Sequence, residues 1–110
     1  WGPSMAERRM ILGQVNPQAA ADTLLYSATS ETVVSTIFAC TCGSAAAIRI
    51  WVRRKGEATA TKQYLYYNES LGNPESMAVT AGITLGIGDD IMVRSDVADT
   101  AFSAFGTVRE

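Results

Sequence analysis

The chain has 110 residues, 47% of them apolar and 18% charged, with nine basic and eleven acidic side chains and a net charge of −2. That length suits one domain with its own core, and that composition excludes a disordered polymer. A slightly acidic balance provides no field to gather a nucleic acid or an anionic membrane, and no stretch reaches the ~20 apolar residues of a helical span.

Trp1-Gly2-Pro3-Ser4 precede Met5. Gly-Pro matches what a common tag-removing protease leaves behind, so residues 1–4 are read as vector-derived and residues 5–110 as a single domain. Trp1 does not fit that scar. The first strand-like runs are Met10 to Gln14 and Thr23 to Tyr26, with Ala19-Ala20-Ala21 between them as one helical turn. Thr32 to Cys42 (TVVSTIFACTC) is rich in β-branched residues and has no wet face. A strict period of two groups Val34, Phe38, Cys40 and Cys42 against Val33, Ile37 and Ala39, so the strand is central in a sandwich or covered by another subunit. Gly43-Ser44 is expected to close a hairpin.

The clearest strand follows, Ala46 to Arg54, in which Ile48, Ile50 and Val52 alternate with Arg49, Trp51 and Arg53. Helical spacing would scatter these residues. A turn at Lys55-Gly56-Glu57 leads to Thr59 to Tyr67, and Asn68 to Pro74 has the composition of a loop. Met77 to Ala81 and Ile83 to Leu85 are short strands. Gly86-Ile87-Gly88-Asp89 then turns the chain into Asp90 to Ser95. Thr100 to Val108 ends the domain, with Phe102 and Ala104 opposite Ser103 and Phe105. About eight strands with regular turn signals and no long helix predict an all-β chain: an antiparallel β-sandwich, jelly-roll-like.

The chemistry available to this chain is narrow. It contains no histidine, which removes the commonest general base, the Ser-His-Asp and Cys-His arrangements and most catalytic zinc sites. Cys40 and Cys42 leave one face of a strand ~7 Å apart, too far for a relaxed mutual disulfide. Two thiols fall short of a zinc site, and they are read as buried. Asp89-Asp90 and Asp96/Asp99 lack the spacing of a glycosidase pair or a calcium loop and are read as turn caps. Gly82-x-x-x-Gly86-x-Gly88 has no following Lys-Ser/Thr pair and is a turn. Asn68-Glu69-Ser70 matches a glycosylation acceptor, with no secretion signal beside it. The Arg53-Arg54-Lys55 run is a solvated strand end. The expectation is a protein that is not an enzyme and uses no cofactor and no metal.

A surface question remains. Trp51, Tyr64 and Tyr66 alternate with core-facing residues and are expected to project from sheet faces, with Arg53 beside them. Tyrosine, tryptophan and arginine are the residues enriched where proteins bind each other, so these four are the candidate interface.

Several short motifs run in one order along the chain: Ile11-Leu12-Gly13-Gln14, Leu25-Tyr26, Val33-Val34-Ser35-Thr36-Ile37, Ile48-Arg49-Ile50, Gln63-Tyr64, Gly82-Ile83-Thr84-Leu85, Gly88-Asp89 and Phe105-Gly106. In this the chain resembles a family of small phage virion proteins with an ILGQ-type opening and a Phe-Gly close. The likeness spans nearly all of Ile11 to Val108, and it departs at Cys42, where a polar turn residue is expected. It implies a sandwich-fold structural subunit of the virion, made in the host cytoplasm. Such a subunit decorates and stabilises the capsid as a cement protein or, alternatively, belongs to the tail or fibre. The implied partners are copies of itself, as a homotrimer, and the major capsid protein or other virion subunits. No catalytic residues carry over. From another class, a carbohydrate-binding module would use exposed aromatics on the same kind of sandwich.

Overall fold

A computed structural model describes residues 7–72, 75–80 and 82–109. The Trp1–Ser4 segment with Met5, the Asn73-Pro74 end of the predicted loop, and Ala81 lie outside the described residues. The strands are β1 (Glu7–Val15), β2 (Thr23–Ser27), β3 (Thr32–Thr41), β4 (Ala46–Arg53), β5 (Tyr64–Leu71), β6 (Ser76–Val79), β7 (Ile83–Leu85), β8 (Asp90–Ser95) and β9 (Thr100–Arg109). A single 3-10 turn covers Thr61–Gln63. The predicted helical turn at Ala19–Ala21 is instead a reverse turn, with Ala20 at φ 55°.

Four antiparallel ladders pair the first half of the chain with the second in reverse order. They join β1 to β9, β2 to β8, β3 to β6 and β7, and β4 to β5. Drawn flat, this is one long two-stranded ribbon turned back at residues 54–63. Two more ladders, β3 with β9 and β4 with β8, roll the ribbon into a sandwich. One sheet then has the order β1-β9-β3-β6, with β7 also on β3, and the other β2-β8-β4-β5. That arrangement is the jelly roll expected from the sequence. Its sixth position is split between β6 and β7 near Gly82, which sits at φ 62°.

Three expectations are corrected. Strands β3 and β4 lie in different sheets, so residues 42–45 cross between sheets and do not form the Gly43-Ser44 hairpin. The strand after the Gly56 turn starts at Tyr64 and runs to Leu71, through half of the predicted loop. Ladder β3–β9 also slips between Val34 and Thr36. One extra residue there reverses the alternation, as a β-bulge must. Thr32, Val34, Ile37, Ala39 and Thr41 therefore all point inward, while Val33, Phe38 and Cys40 point out.

Ile48, Ile50, Ile91 and Val93 from one sheet meet Val34, Ile37, Phe102 and Ala104 from the other, each at most 1% exposed. Burying a large aliphatic side chain of this kind stabilises by roughly 1.5–3 kcal/mol, so these residues dominate the fold. Two motif glycines are explained by close approach: a Cβ at Gly13 would strike the Leu25 carbonyl, and one at Gly106 the Val33 carbonyl. Of the acidic side chains read as turn caps, Asp89 caps its own turn as expected, whereas Asp90 lies in β8 and binds Arg53, and Asp96 reaches across to β4. Asp89 accepts from the Lys55 and Gly86 N–H groups at 3.0 and 2.9 Å, and Asp96 from the Ala47 N–H at 2.8 Å. Inside, the Ser95 and Thr100 hydroxyls satisfy one another at 2.8 Å.

Ile50 is fully buried, whereas Arg49 on the same strand faces outward and is only partly buried. Ile50→Asp is expected to lose more than about 4 kcal/mol and to unfold the domain, because its carboxylate would have no partner. Arg49→Ala should stay within about 1 kcal/mol of wild type. Thermal melts of the two variants check this, and equal losses would contradict the orientation of β4.

Candidate interaction surfaces

The sandwich has two exterior faces, and the chain treats them differently. On the β2-β8-β4-β5 sheet, the register lines up Leu24, Met92, Trp51 and Tyr64 in one row across the four strands. The ten-residue connection 54–63 folds over the middle of that row. Gly56 at φ 80° starts its turn, with the Glu57 N–H on the Arg54 carbonyl at 3.0 Å. Gln63 then ties the segment together: its amide donates to the Ala58 carbonyl and accepts from the Ala60 N–H, both at 2.9 Å. Lys62 and Glu57 pair at 3.2 Å, and this hydrogen bond holds the Glu57 carboxyl below its usual range. Beneath this cover the Trp51 indole N–H donates to the Thr59 hydroxyl at 3.0 Å, and its ring lies 5.2 Å from that of Tyr64. Trp51 is 0% exposed and Met92 8%.

The four candidate interface residues are therefore not one surface. Trp51 is buried, which corrects the expectation that it projects into solvent. Arg53 makes a two-pronged contact with Asp90, both distances 2.9 Å, and that hydrogen bond raises the arginine further above its ordinary value. A second correction concerns Tyr66. Two register shifts in ladder β4–β5 place Tyr64 opposite Trp51, outside, and Tyr66 opposite Ile50, where it packs against the core. Of the set, Tyr64 and the paired Arg53 keep partly open exterior positions.

The aromatic that does project is Tyr67, 57% exposed. Asn68 behind it adopts φ 55°, a conformation asparagine tolerates better than most residues, and this bulge turns Tyr67 outward. The Arg49 guanidinium sits 4.2 Å above its ring and donates to the Asn68 side chain at 2.8 Å. Arg94, opposite Arg49 in the ladder, is paired with Asp22 at 3.0 Å.

On the β1-β9-β3-β6 sheet, none of the described residues crosses the exterior of the central strands. Phe38 and Phe105 meet edge-to-face there, ring centres 5.8 Å apart. Ile11, Val33 and Phe38 are 52%, 45% and 45% exposed. Phe105 pairs with Ile11 on one side and Thr36 on the other, and Phe38 lies between Ser103 and Ala78. A shallow groove of about 570 Å³ runs past Ile11, Ser35 and Phe105. This surface is absent from the expected set. Its signal was the lack of a wet face along Thr32–Cys42, but the bulge at Ser35 concealed which residues pointed out.

Cys40 and Cys42 are exposed, contrary to the expectation of buried thiols. The Cys42 thiol is pushed up from its ordinary value by desolvation, then by Cys40 and Asp99. Among the described residues no three His, Cys, Asp or Glu side chains are grouped to hold a metal ion, and no helix is long and apolar enough to cross a membrane. A cleft of about 350 Å³ at one end of the sandwich is lined by both signs of charge, including Arg53, Arg54, Glu57, Lys62 and Asp89. Comparison with protein families, with curated proteins and with solved structures returned no match to this chain.

The covering of Trp51 can be tested directly. Trp51→Ala is expected to cost about 3–5 kcal/mol, as for other large buried aromatics, and Thr59→Val about 1–3 kcal/mol, because the indole N–H is left without an acceptor. Urea titrations check both values. A loss under about 1 kcal/mol for Trp51→Ala would mean that residues 54–63 do not seal the ring.

Proposed function

We propose that this chain is a structural subunit of a phage particle, a capsid decoration or cement protein that assembles and stabilises the head. The observation that carries the reading is the open apolar exterior of the β1-β9-β3-β6 sheet, with Ile11, Val33, Phe38 and Phe105 side by side. A contiguous exposed apolar surface of this kind marks contact with other macromolecules, because water would otherwise be held against it at a free-energy cost. The fold agrees with the reading without deciding it, since jelly rolls serve both viral capsids and lectins. The motif order from Ile11-Leu12-Gly13-Gln14 to Phe105-Gly106 adds the resemblance to phage virion proteins. Gly13 and Gly106 are also motif positions at which a Cβ would strike a backbone carbonyl. A homotrimer is the proposed order, and a tail or fibre position is the nearest alternative within the particle.

One observation favours a reading from another class. Tyr67, exposed and braced by Arg49, offers an aromatic face of the type that stacks on sugars. A glycan array separates the two: strong sugar binding lost in Tyr67→Ala would promote a carbohydrate-binding module.

The virion reading predicts selective attachment to assembled shells. Each contact from so small a domain is modest, on the order of 800 Å² per partner, and engaging several shell subunits at once multiplies weak contacts into avidity. Purified protein mixed with undecorated heads should co-sediment far better than with unassembled shell protein. Equal affinity for both would argue against avidity. Binding to tails but not to heads would move the protein to the alternative position.

A further inference from the structure

We propose that the exterior of the β1-β9-β3-β6 sheet is buried against a second copy of this chain, through Val33, Phe38 and Phe105. This deepens the assembly reading above and rests on it, assigning that face to the copy–copy contact and leaving other surfaces for the shell.

Three observations select a second copy as the occupant. The first is the contrast between the two exteriors. The apolar row on the β2-β8-β4-β5 sheet is sealed by the chain itself, with Trp51 0% exposed under residues 54–63. The matching exterior of the other sheet carries Phe38 at 45% and Val33 at 45%, and none of the described residues covers them.

The second observation is charge. On β9 the outward positions are Ala101, Ser103, Phe105 and Thr107, and on β3 they are Val33, Ser35, Phe38 and Cys40, with Ser76, Ala78 and Thr84 beside them. None is charged. Charge lies toward the margins, at Glu7 and Arg9 on β1 and at the Arg109–Glu31 pair, 2.8 Å apart. A surface that meets a copy of itself brings like against like near the symmetry axis, so a charged centre would repel and a neutral one does not. Two of the hydroxyls on this face have partners within the chain: Ser35 donates to the Phe105 carbonyl at 3.1 Å, and Ser103 accepts from Gln14 at 3.4 Å. Covering them costs little, because they do not depend on water for their partners.

The third is area. Three strands of nine or ten residues, with β6 and β7 adding four and three beside them, present a face of roughly 600 Å² at ~4.8 Å between strands and ~3.3 Å per residue, before side-chain relief is counted. A stable interface of standard size needs about 800 Å² per partner, so this face together with its rim suffices.

The test uses sedimentation and a thiol already in place. Cys40 lies on the same face, between Ser76 and Ala101, and is exposed in the single chain. In a Cys42→Ser background, maleimide should label Cys40 slowly at concentrations where the protein is oligomeric and rapidly on dilution. Phe38→Asp should weaken self-association roughly tenfold or more, as loss of a central anchor does, and should abolish the protection of Cys40. Should Phe38→Asp fail to fold, Ala78→Glu places a charge beside Phe38 at an exposed position and should have the same two effects. A wild-type oligomer that neither folded variant disturbs, with Cys40 labelled freely at all concentrations, would overturn the assignment of this face. A monomeric wild type that still binds heads would overturn the self-contact while leaving the virion role in place. An oligomer that uses this face but ignores heads and tails would support the contact and defeat the virion reading.

Discussion

The fold depends on the pairing of β3 with β9. Apart from β4 on β8, the other ladders join a first-half strand to its mirror partner and would exist equally in an open ribbon. The run from Thr32 opposite Val108 to Thr41 opposite Thr100 is the longest of the ladders that roll this ribbon. It places Val34, Ile37 and Ala39 beside Phe102 and Ala104, and together these form one wall of the core. The partner wall is made the same way by β4 on β8, with Ile50 opposite Val93. Because the paired residues are far apart in sequence, ordering them carries a loop-closure cost that the buried wall must offset.

Bulges do much of the shaping. Four of the seven ladders have a register shift, in β1 near Leu12, in β2 near Leu25, in β3 at Ser35, and twice in β5, whereas β4 on β8 runs without one. A bulge adds twist and re-aims the next side chain, which lets a flat ribbon wrap without strain in the ladder. In β5 the same device blunts an edge strand, since its irregular hydrogen bonding makes a poor template for another chain. Edge-to-edge growth at β5 is thus disfavoured, in keeping with the proposal that association uses the sheet exterior, where Phe38 and Phe105 sit.

The two exteriors show how one sequence can build a second small core and an open face from similar material. Trp51 is as apolar as Phe38, yet one is sealed and the other is not. The difference lies in residues 54–63, whose turn at Gly56 and internal bonds through Gln63 hold Thr59 over the indole. Asp89 pins one end of that cover by accepting from the Lys55 N–H at 3.0 Å. A virion subunit built this way would keep one sheet as its own outer wall and give the other to assembly.

Much of the architecture was legible in the chain. The alternation of Ile48, Ile50 and Val52 with charged or aromatic residues determined the orientation of β4 through Ile50, because a period of two leaves no other face for the aliphatics. Turn residues every few positions and the absence of a helical period determined the all-β class. The asymmetry of the Thr32–Cys42 run showed that β3 lacks an ordinary polar face. What only the tertiary structure decided was which of its residues are outside, since one extra residue at Ser35 inverts every position before it relative to those after. Tertiary structure likewise decided that Tyr66 turns inward, that Tyr67 turns outward, and that Trp51 is roofed. Local periodicity carries no information about bulges or about where a distant loop comes to rest. Those outcomes are set by cross-strand partners and packing against residues far along the chain, and they exist only once the ribbon is rolled.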